Sequence, residues 1–153
     1  MPGKRRIASR SCPNLEATVS KSDALYDPIE LGLLPVDLVN SALGTELVPA
    51  PVRLSAQAHR HIAKDHPEDY EVCIAALSIA IQAPSFIGQA PKHMRNFEII
   101  RRIARTDGRV VLVAISLECE RDGCYAVRTS YLLEATKLEV RRQKGTVRAT
   151  PPR

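Results

Sequence analysis

The feature that most constrains the fold is a pair of Asp-Gly dipeptides around a long apolar run in the second half of the chain. One dipeptide occupies residues 107–108 and the other residues 122–123, on either side of Arg109–Leu117 (RVVLVAISL). Asp-Gly is a strong signal for a hairpin turn, and a continuous β-branched run is typical of a central strand. The sequence therefore predicts an antiparallel meander in which Asn96–Arg105 and Tyr125–Leu133 flank this run.

The last long strand of this meander carries polar side chains of interest. Side chains alternate along a strand, so Tyr125, Val127, Thr129 and Tyr131 are expected to share one face. Arg128 and Ser130 would then point to the other face. Only one of these two groups is expected to line a site.

The chain after the meander fits two structures. Within Thr136–Lys144, Leu138 and Val140 alternate as in a strand, whereas Gly145 is suited to cap a helix. Residues 146–149 are expected to complete the last strand of the sheet.

Two helices are predicted before the meander. Ser55 is a good N-cap for Ala56–Asp65, and Pro67 closes that helix. Glu68–Gln82 is apolar nearly all round, which indicates a helix buried against a sheet, and Pro84 ends it. The predicted fold class is therefore α+β, with two N-terminal helices packed on a roughly four-stranded antiparallel sheet.

The first fifty residues differ from the rest in composition. A Lys, Arg and Ser stretch at the start is followed by several prolines. Residues 1–50 are therefore predicted to be an N-terminal tail or wrap, partly disordered, with Val36–Leu43 as a short helix. Residues 51–150 are predicted to form the folded domain, and the basic tip Lys4–Arg6 is either a nucleic-acid contact or a solvated tail.

Charge and composition restrict the classes of partner. The net charge of +5 favours anionic partners such as nucleic acid. The sequence has no run of about 18 apolar residues and no secretory signal pattern, so we expect no membrane association and a cytoplasmic protein with reduced thiols. Cys119 and Cys124 could alternatively bridge a hairpin loop; the cysteines and histidines lack the spacing of a zinc site, so no metal or cofactor is expected.

Three of the four histidines lie within eight residues, at His59, His61 and His66. His61 and Asp65 are spaced i, i+4, so the carboxylate can orient the imidazole, whereas His59 points nearly the opposite way. Two nearby imidazoles can divide general base and general acid work, as in cleavage of RNA by its 2′-hydroxyl. The alternative is that these histidines are solvated or packed residues without a catalytic role.

Further candidates lie on the sheet and near the C-terminus. Arg128 could stabilise negative charge on a scissile phosphate. The hydroxyls of Thr129, Ser130 and Tyr131 could bind a phosphate, and the Tyr131 ring could stack on a base. Basic side chains could form a phosphate-contacting rim, although a solvated basic edge is equally consistent with the pattern. The basic candidates are Lys64, Arg101, Arg141 and Lys144.

Taken together, several segments resemble a known family of nucleases. The segments RLSAQAHRHIAKDHPEDY, QAPSFIG, NFEIIRRIARTDGRVVLVAISLE and YAVRTSYLL, in this order, resemble the phage-associated branch of the barnase–EndoU–colicin E5/D–RelE-like (BECR) nucleases. The matching elements are His61-Ile62 with His66-Pro67, Ala83-Pro84 before the first strand, and Ser130-Tyr131 on a late strand. The resemblance covers about Val52–Ala149.

The resemblance implies a function for the chain. Members are small metal-independent ribonucleases, many of them toxins, so the expectation is an endoribonuclease, bacterial or phage-encoded, acting in the cytoplasm or delivered into a target cell. RNA would be the substrate, with an immunity protein or antitoxin as a further partner. His61, His66 and Ser130, which match the family's elements, are the expected catalytic residues, together with Arg128, which is proposed from its charge on the strand. The alternative is a non-enzymatic nucleic-acid- or protein-binding module of phage origin.

Overall fold

The structure, a computed structural model, describes residues 26–151. Within this range the chain forms four helices and seven strands. The helices are α1 (Val36–Leu43), α2 (Ala56–Asp65), α3 (Tyr70–Gln82) and α4 (Ala135–Lys144). The strands are β1 (Ile29–Leu33), β2 (Pro51–Leu54), β3 (Phe86–Gln89), β4 (Asn96–Arg101), β5 (Val110–Cys119), β6 (Tyr125–Leu133) and β7 (Val147–Ala149).

All seven strands belong to one mixed sheet in the order β1-β2-β6-β5-β4-β3-β7. Neighbouring strands are antiparallel except β2 and β6, which are parallel. The fold is α+β, but the predicted arrangement of two helices on a four-stranded antiparallel sheet is wrong. The strand expected at residues 146–149 is confirmed as β7. The additional strands β1, β2 and β3 are only four or five residues long, too short for a clear periodicity in the sequence.

Residues 26–50 contribute to this larger sheet. β1 pairs antiparallel with β2, and the helix predicted at Val36–Leu43 is confirmed as α1. The predictions for residues 1–25, including a nucleic-acid contact at Lys4–Arg6, lie outside the described residues, as do residues 152–153.

The sheet separates two hydrophobic cores. Val111, Val113 and Ile115 of β5 point into the larger core, where the sheet packs against α3. Val110 and Leu112 point into the smaller core on the other side, beneath α4. Burial on both faces explains why β5 is a continuous apolar run, as expected for a central strand.

The helices begin and end where local chemistry dictates. The Ala58 N–H donates to Ser55 Oγ over 3.1 Å, so the predicted N-cap and the bounds of α2 are confirmed. α3 starts at Tyr70 instead of Glu68 because residues 67–69 form a turn. The ambiguous C-terminal segment is the helix α4, which ends at Gly145 with φ +75°, a conformation that glycine adopts without strain.

A β-bulge changes which residues of β6 share a face. Ala114 of β5 pairs with Thr129, but the next residue, Ile115, pairs with Val127, so Arg128 is the extra residue. Val127 and Ser130 therefore lie on the side of the larger core, and Thr129 lies on the opposite side. The prediction that Val127, Thr129 and their alternating neighbours share one face is wrong for this reason.

The edge of β6 is completed by a side chain as well as by a strand. β2 pairs with only the first two residues of β6, Tyr125 and Ala126. Further along, the Leu132 N–H donates to Asp69 Oδ2 over 3.0 Å. The turn between α2 and α3, which carries Asp69, thus lies against the part of β6 that β2 does not reach.

Candidate active site

A cleft opens on the α4 side of the sheet, between α4 and the loop that joins β3 to β4. It has a volume of about 260 Å³. We call it the carboxylate cleft. The residues that line it are Ala90, Pro91, Lys92, His93, Glu98, Tyr131 and Arg141.

Glu98 is the buried acid of this cleft. Along β4, Phe97 and Ile99 point into the larger core, so Glu98 points to the α4 side, where only 5% of it is exposed. Its neighbours across the sheet are Gly88 and Ala114, which have little or no side chain. A Cβ at Gly88 would lie 2.3 Å from the Thr146 carbonyl oxygen, so that position requires glycine.

Arg141 is the partner of Glu98. It follows Leu138 by three residues on α4, so the burial of Leu138 in the smaller core turns Arg141 toward the sheet. The Arg141 guanidinium donates to Glu98 Oε1, and the two side chains are 18% and 7% exposed. Burial raises the pKa of Glu98 above its ordinary value, while the charge and hydrogen bond of Arg141 act in the opposite direction.

Tyr131 forms one wall of the cleft, and His66 packs against it. Burial, and secondarily the charge of Glu98, raises the pKa of the Tyr131 phenol. The ring of His66 lies against Tyr131, with ring centroids 5.1 Å apart and an angle of 31° between the planes. His66 is held there because it is the C-cap of α2 and its N–H donates to the Ile62 carbonyl over 2.9 Å.

The opposite wall is the loop at residues 90–95, which carries Lys92 and His93. The Gln89 side chain donates to the carbonyls of Met94 and Asn96, and the Asn96 N–H donates to the His93 carbonyl over 2.9 Å. These bonds fix the loop beside Glu98. Residue 93 was not among the predicted site residues, because a single histidine in a polar connection gives no pattern to recognise.

Thr129 supplies a polar group without a partner on the same side of the sheet. Its hydroxyl is buried and makes no hydrogen bond among the described residues. Thr129 pairs with Ala114, which in turn pairs with Glu98, so the three positions form a row across β6, β5 and β4. An unsatisfied buried hydroxyl is costly and is often found where a ligand or water completes the bonding.

Two of the predicted catalytic residues, His61 and Arg128, line a different concavity. We call it the histidine concavity. His61 Nδ1 is 3.2 Å from Asp65 Oδ2, as the i, i+4 spacing predicted, and the two side chains are 51% and 43% exposed. Arg128 forms an ion pair of 3.0 Å with Glu120. The lining residues are Gln57, Ala58, His61, Val127 and Arg128.

The remaining predicted residues are distributed over the molecule. Ser130 is fully buried and donates its hydroxyl to the Leu112 carbonyl over 2.8 Å, so it does not line either cavity. Arg101 donates to the Ala83 carbonyl at the end of α3 over 2.7 Å. Lys64 is exposed on α2. Lys144 lies with Lys137 in a groove along α4 that shares Pro91 and Arg141 with the carboxylate cleft.

The first of the three clustered histidines has a structural role. His59 is 4% exposed, and its ring nitrogens lie 2.9 Å from the Asp27 carbonyl oxygen and 2.8 Å from the Tyr70 hydroxyl. Its ring also stacks on Tyr70 and meets the edge of Tyr26. Both nitrogens are therefore engaged in holding α2 against its surroundings.

Comparison with known proteins adds no relative: no protein-family model, curated protein or solved structure matches the chain. Between residues 26 and 151, no three or more histidine, cysteine, aspartate or glutamate side chains are grouped so as to hold a metal ion. Cys73, Cys119 and Cys124 carry free thiols. In the same range, no helix has the length and apolar character needed to cross a membrane.

Proposed function

We propose that the chain is a metal-independent endoribonuclease whose reaction takes place in the carboxylate cleft. The observation that carries the proposal is Glu98, a buried carboxyl with a raised pKa that faces an open cleft beside Arg141, His93 and Tyr131. Perturbed acids in clefts with other titratable groups are characteristic of catalytic sites.

The proposed reaction is transesterification at a phosphodiester. The ionised Glu98 carboxylate accepts the proton of the 2′-hydroxyl, and the 2′-oxygen attacks the phosphorus. The bond from phosphorus to the 5′-oxygen breaks, and the protonated imidazole of His93 donates its proton to that leaving oxygen. The products are a 2′,3′-cyclic phosphate and a 5′-hydroxyl end, and no oxidant, metal or further reactant is consumed.

Arg141 and Tyr131 have supporting roles in this reaction. The guanidinium of Arg141 stabilises the negative charge that grows on the phosphate oxygens in the transition state. A raised pKa makes Glu98 a stronger base than an ordinary carboxylate, provided that it is ionised at the working pH. The Tyr131 hydroxyl is a hydrogen-bond donor on the same wall, and the rings of Tyr131 and His66 offer a surface for a base.

The charge around the cleft supports RNA as the substrate. The groove along α4 continues from the cleft and carries Lys137 and Lys144 in addition to Arg141. Lysine and arginine side chains along a groove are suited to the phosphates of a nucleic acid. The net charge of +5 acts in the same direction.

A comparison of Glu98→Gln with Glu118→Gln in RNA cleavage tests this proposal. The glutamine at 98 keeps the size and the hydrogen bond to Arg141 but cannot accept the proton, so we expect cleavage in EDTA to fall about 10²- to 10⁴-fold. Glu118 is exposed near the end of β5 and serves as the matched control. Products are analysed for the cyclic phosphate end.

Two outcomes would overturn the proposal. Equal cleavage by wild type, Glu98→Gln and Glu118→Gln would remove Glu98 from the reaction. Absence of cleavage of any RNA, together with retained RNA binding, would favour the second candidate, a non-enzymatic nucleic-acid-binding module that uses the same lysine and arginine side chains along α4.

A further inference from the structure

A second basic groove lies on the α4 side of the sheet, at the end of β4 opposite to the carboxylate cleft. It has a volume of about 490 Å³ and three of its lining side chains are arginines, Arg101, Arg102 and Arg142. Among the described residues that line it, none is acidic. We call it the arginine groove.

Two of these arginines are arranged around one aromatic ring. The guanidinium carbons of Arg102 and Arg142 lie 5.0 Å and 5.4 Å from the centroid of the Phe86 ring, which belongs to the smaller core. The face of an aromatic ring attracts a guanidinium and limits the conformations of its long side chain. Both guanidinium carbons thus lie within 5.4 Å of one ring centroid at the lining of the groove, an arrangement that a phosphate contacting both groups would stabilise.

The backbone of the groove is fixed by hydrogen bonds. The Arg102 N–H donates to Ser85 Oγ over 3.0 Å, and the Ser85 N–H donates to the Ile100 carbonyl over 2.8 Å. The Thr150 N–H donates to the Ser85 carbonyl, and the Thr150 hydroxyl donates to the Pro84 carbonyl. The groove therefore exists before any ligand binds, which reduces the entropy lost on binding.

The charge in the groove is only partly compensated. Arg142 forms an exposed ion pair of 3.3 Å with Glu139, one turn earlier on α4. Arg101 also lines the groove and uses one nitrogen to bind the Ala83 carbonyl, so the guanidinium keeps further donors. Exposed ion pairs contribute little free energy, so Glu139 is easily exchanged for a phosphate.

The position of the groove relates it to the carboxylate cleft. Gly88, opposite Glu98, and Phe86 are two residues apart on β3, about 7 Å along the strand. Adjacent residues of α4 project in different directions, so Arg141 serves the cleft and Arg142 serves the arginine groove. A single extended strand of nucleic acid can therefore occupy both.

We propose that the arginine groove binds a phosphate of the RNA strand outside the linkage that is cleaved, through Arg102 and Arg142. The identification of the strand as the substrate rests on the proposed function. The groove supplies affinity for long RNA and takes no part in the chemical step.

Binding of an RNA that cannot be cleaved tests the groove without reference to catalysis. The probe is a fluorescent single-stranded 2′-O-methyl oligoribonucleotide long enough to span both sites, and its affinity is measured by anisotropy over a range of salt concentrations. Arg102→Gln/Arg142→Gln is compared with Arg60→Gln/Arg121→Gln, which removes the same charge from exposed positions outside the groove. Thermal unfolding verifies that each variant folds, and Arg102→Gln alone, on an exposed loop residue, replaces the double variant if it does not.

We expect the groove variant to bind about tenfold more weakly than the control variant. Its slope of log affinity against log salt is expected to be smaller by about 0.7, the value for one phosphate of a single strand that is no longer neutralised. Equal affinities and equal slopes for the two double variants would overturn the proposal. Calorimetric titration with inorganic phosphate distinguishes a free anion from an RNA phosphate as the ligand of the groove. If the groove variant alone loses phosphate binding while its RNA affinity is unchanged, the groove binds a free anion and the proposal is overturned.

The same probe separates this inference from the proposed function. If wild type binds the probe through Arg102 and Arg142 but cleaves no RNA, the groove remains a nucleic-acid site and the endoribonuclease proposal fails. If wild type cleaves RNA and the groove variant binds as the control does, the endoribonuclease proposal stands and the groove fails.

Discussion

The carboxylate cleft and the histidine concavity contain similar chemical groups in different surroundings. Each is lined by a histidine and an arginine, and in each case the arginine pairs with an acid, Arg141 with Glu98 and Arg128 with Glu120. In the cleft, Glu98 and Arg141 are 7% and 18% exposed, whereas Arg128 and Glu120 beside the histidine concavity are each 46% exposed. Water screens the exposed pair, whereas burial raises the pKa of Glu98 even though the charge and hydrogen bond of Arg141 oppose this shift. The lesson is that burial, more than the number of titratable residues, distinguishes the candidate active site.

The largest difference between the two regions is expected in stability. Arg141→Ala leaves the Glu98 carboxylate buried without its partner, so we expect the free energy of unfolding to fall by about 3 kcal/mol. Arg128→Ala breaks an exposed pair and is expected to cost under about 1 kcal/mol. Denaturant unfolding of both variants at neutral pH measures the contrast, and similar losses would contradict it.

The pH dependence of stability sharpens the comparison further. Because burial raises the folded-state pKa of Glu98 above its unfolded value, the folded state binds the proton more tightly. The stability from this group is present below the unfolded pKa and is lost as pH rises through the folded pKa. Glu98→Gln, which resembles the protonated acid, should therefore gain stability relative to wild type across this window, by about 1.4 kcal/mol for each unit of the shift.

The check is a series of unfolding measurements from acid to neutral pH on wild type, Glu98→Gln and Glu118→Gln. The control at the exposed Glu118 should follow the wild-type pH dependence. A constant difference between Glu98→Gln and wild type at every pH would mean that the Glu98 pKa is not raised.

A smaller effect is expected from the wall of the cleft. Tyr131→Phe keeps the ring against His66 but removes the hydroxyl, so kcat/KM for RNA cleavage should fall about fivefold, the loss of one hydrogen bond of roughly 1 kcal/mol. Thermal stability should change little because the packing is retained. Unchanged cleavage would show that the hydroxyl does not contact the substrate.

The smallest effect on RNA cleavage is expected at His61, the first of the catalytic residues predicted from the sequence. His61→Ala removes an exposed imidazole and its exposed pair with Asp65, which is worth under about 0.5 kcal/mol. Cleavage in EDTA should stay within about twofold of wild type. A loss as large as that of Glu98→Gln would reverse the assignment and make the histidine concavity the active site.

Local interactions were predictable from the sequence. Ser55 as the N-cap and the His61–Asp65 pair both depend on residues within four positions of each other. The hairpins around β5 follow from their turn residues and from the burial of β5 on both faces.

Interactions between distant residues were not predictable. Glu98 reads as the outward residue of a strand, and its partner is 43 residues later in a segment that fitted strand or helix equally well. The bulge at Arg128 has no sequence signal of its own, yet it decides that Thr129 faces the side of Glu98 and Val127 the larger core. The site is therefore a product of the tertiary fold.

The hydrogen bond from the Leu132 N–H to Asp69 also limits how the edge of β6 can pair with another molecule. An open strand edge presents free N–H and C=O groups that can pair with another molecule, and such pairing leads to aggregation or domain exchange. Along the second half of β6, the Asp69 carboxylate takes one of these donors, and it places a negative charge at the edge beside Arg109. A second chain could not extend the sheet there without displacing the turn between α2 and α3.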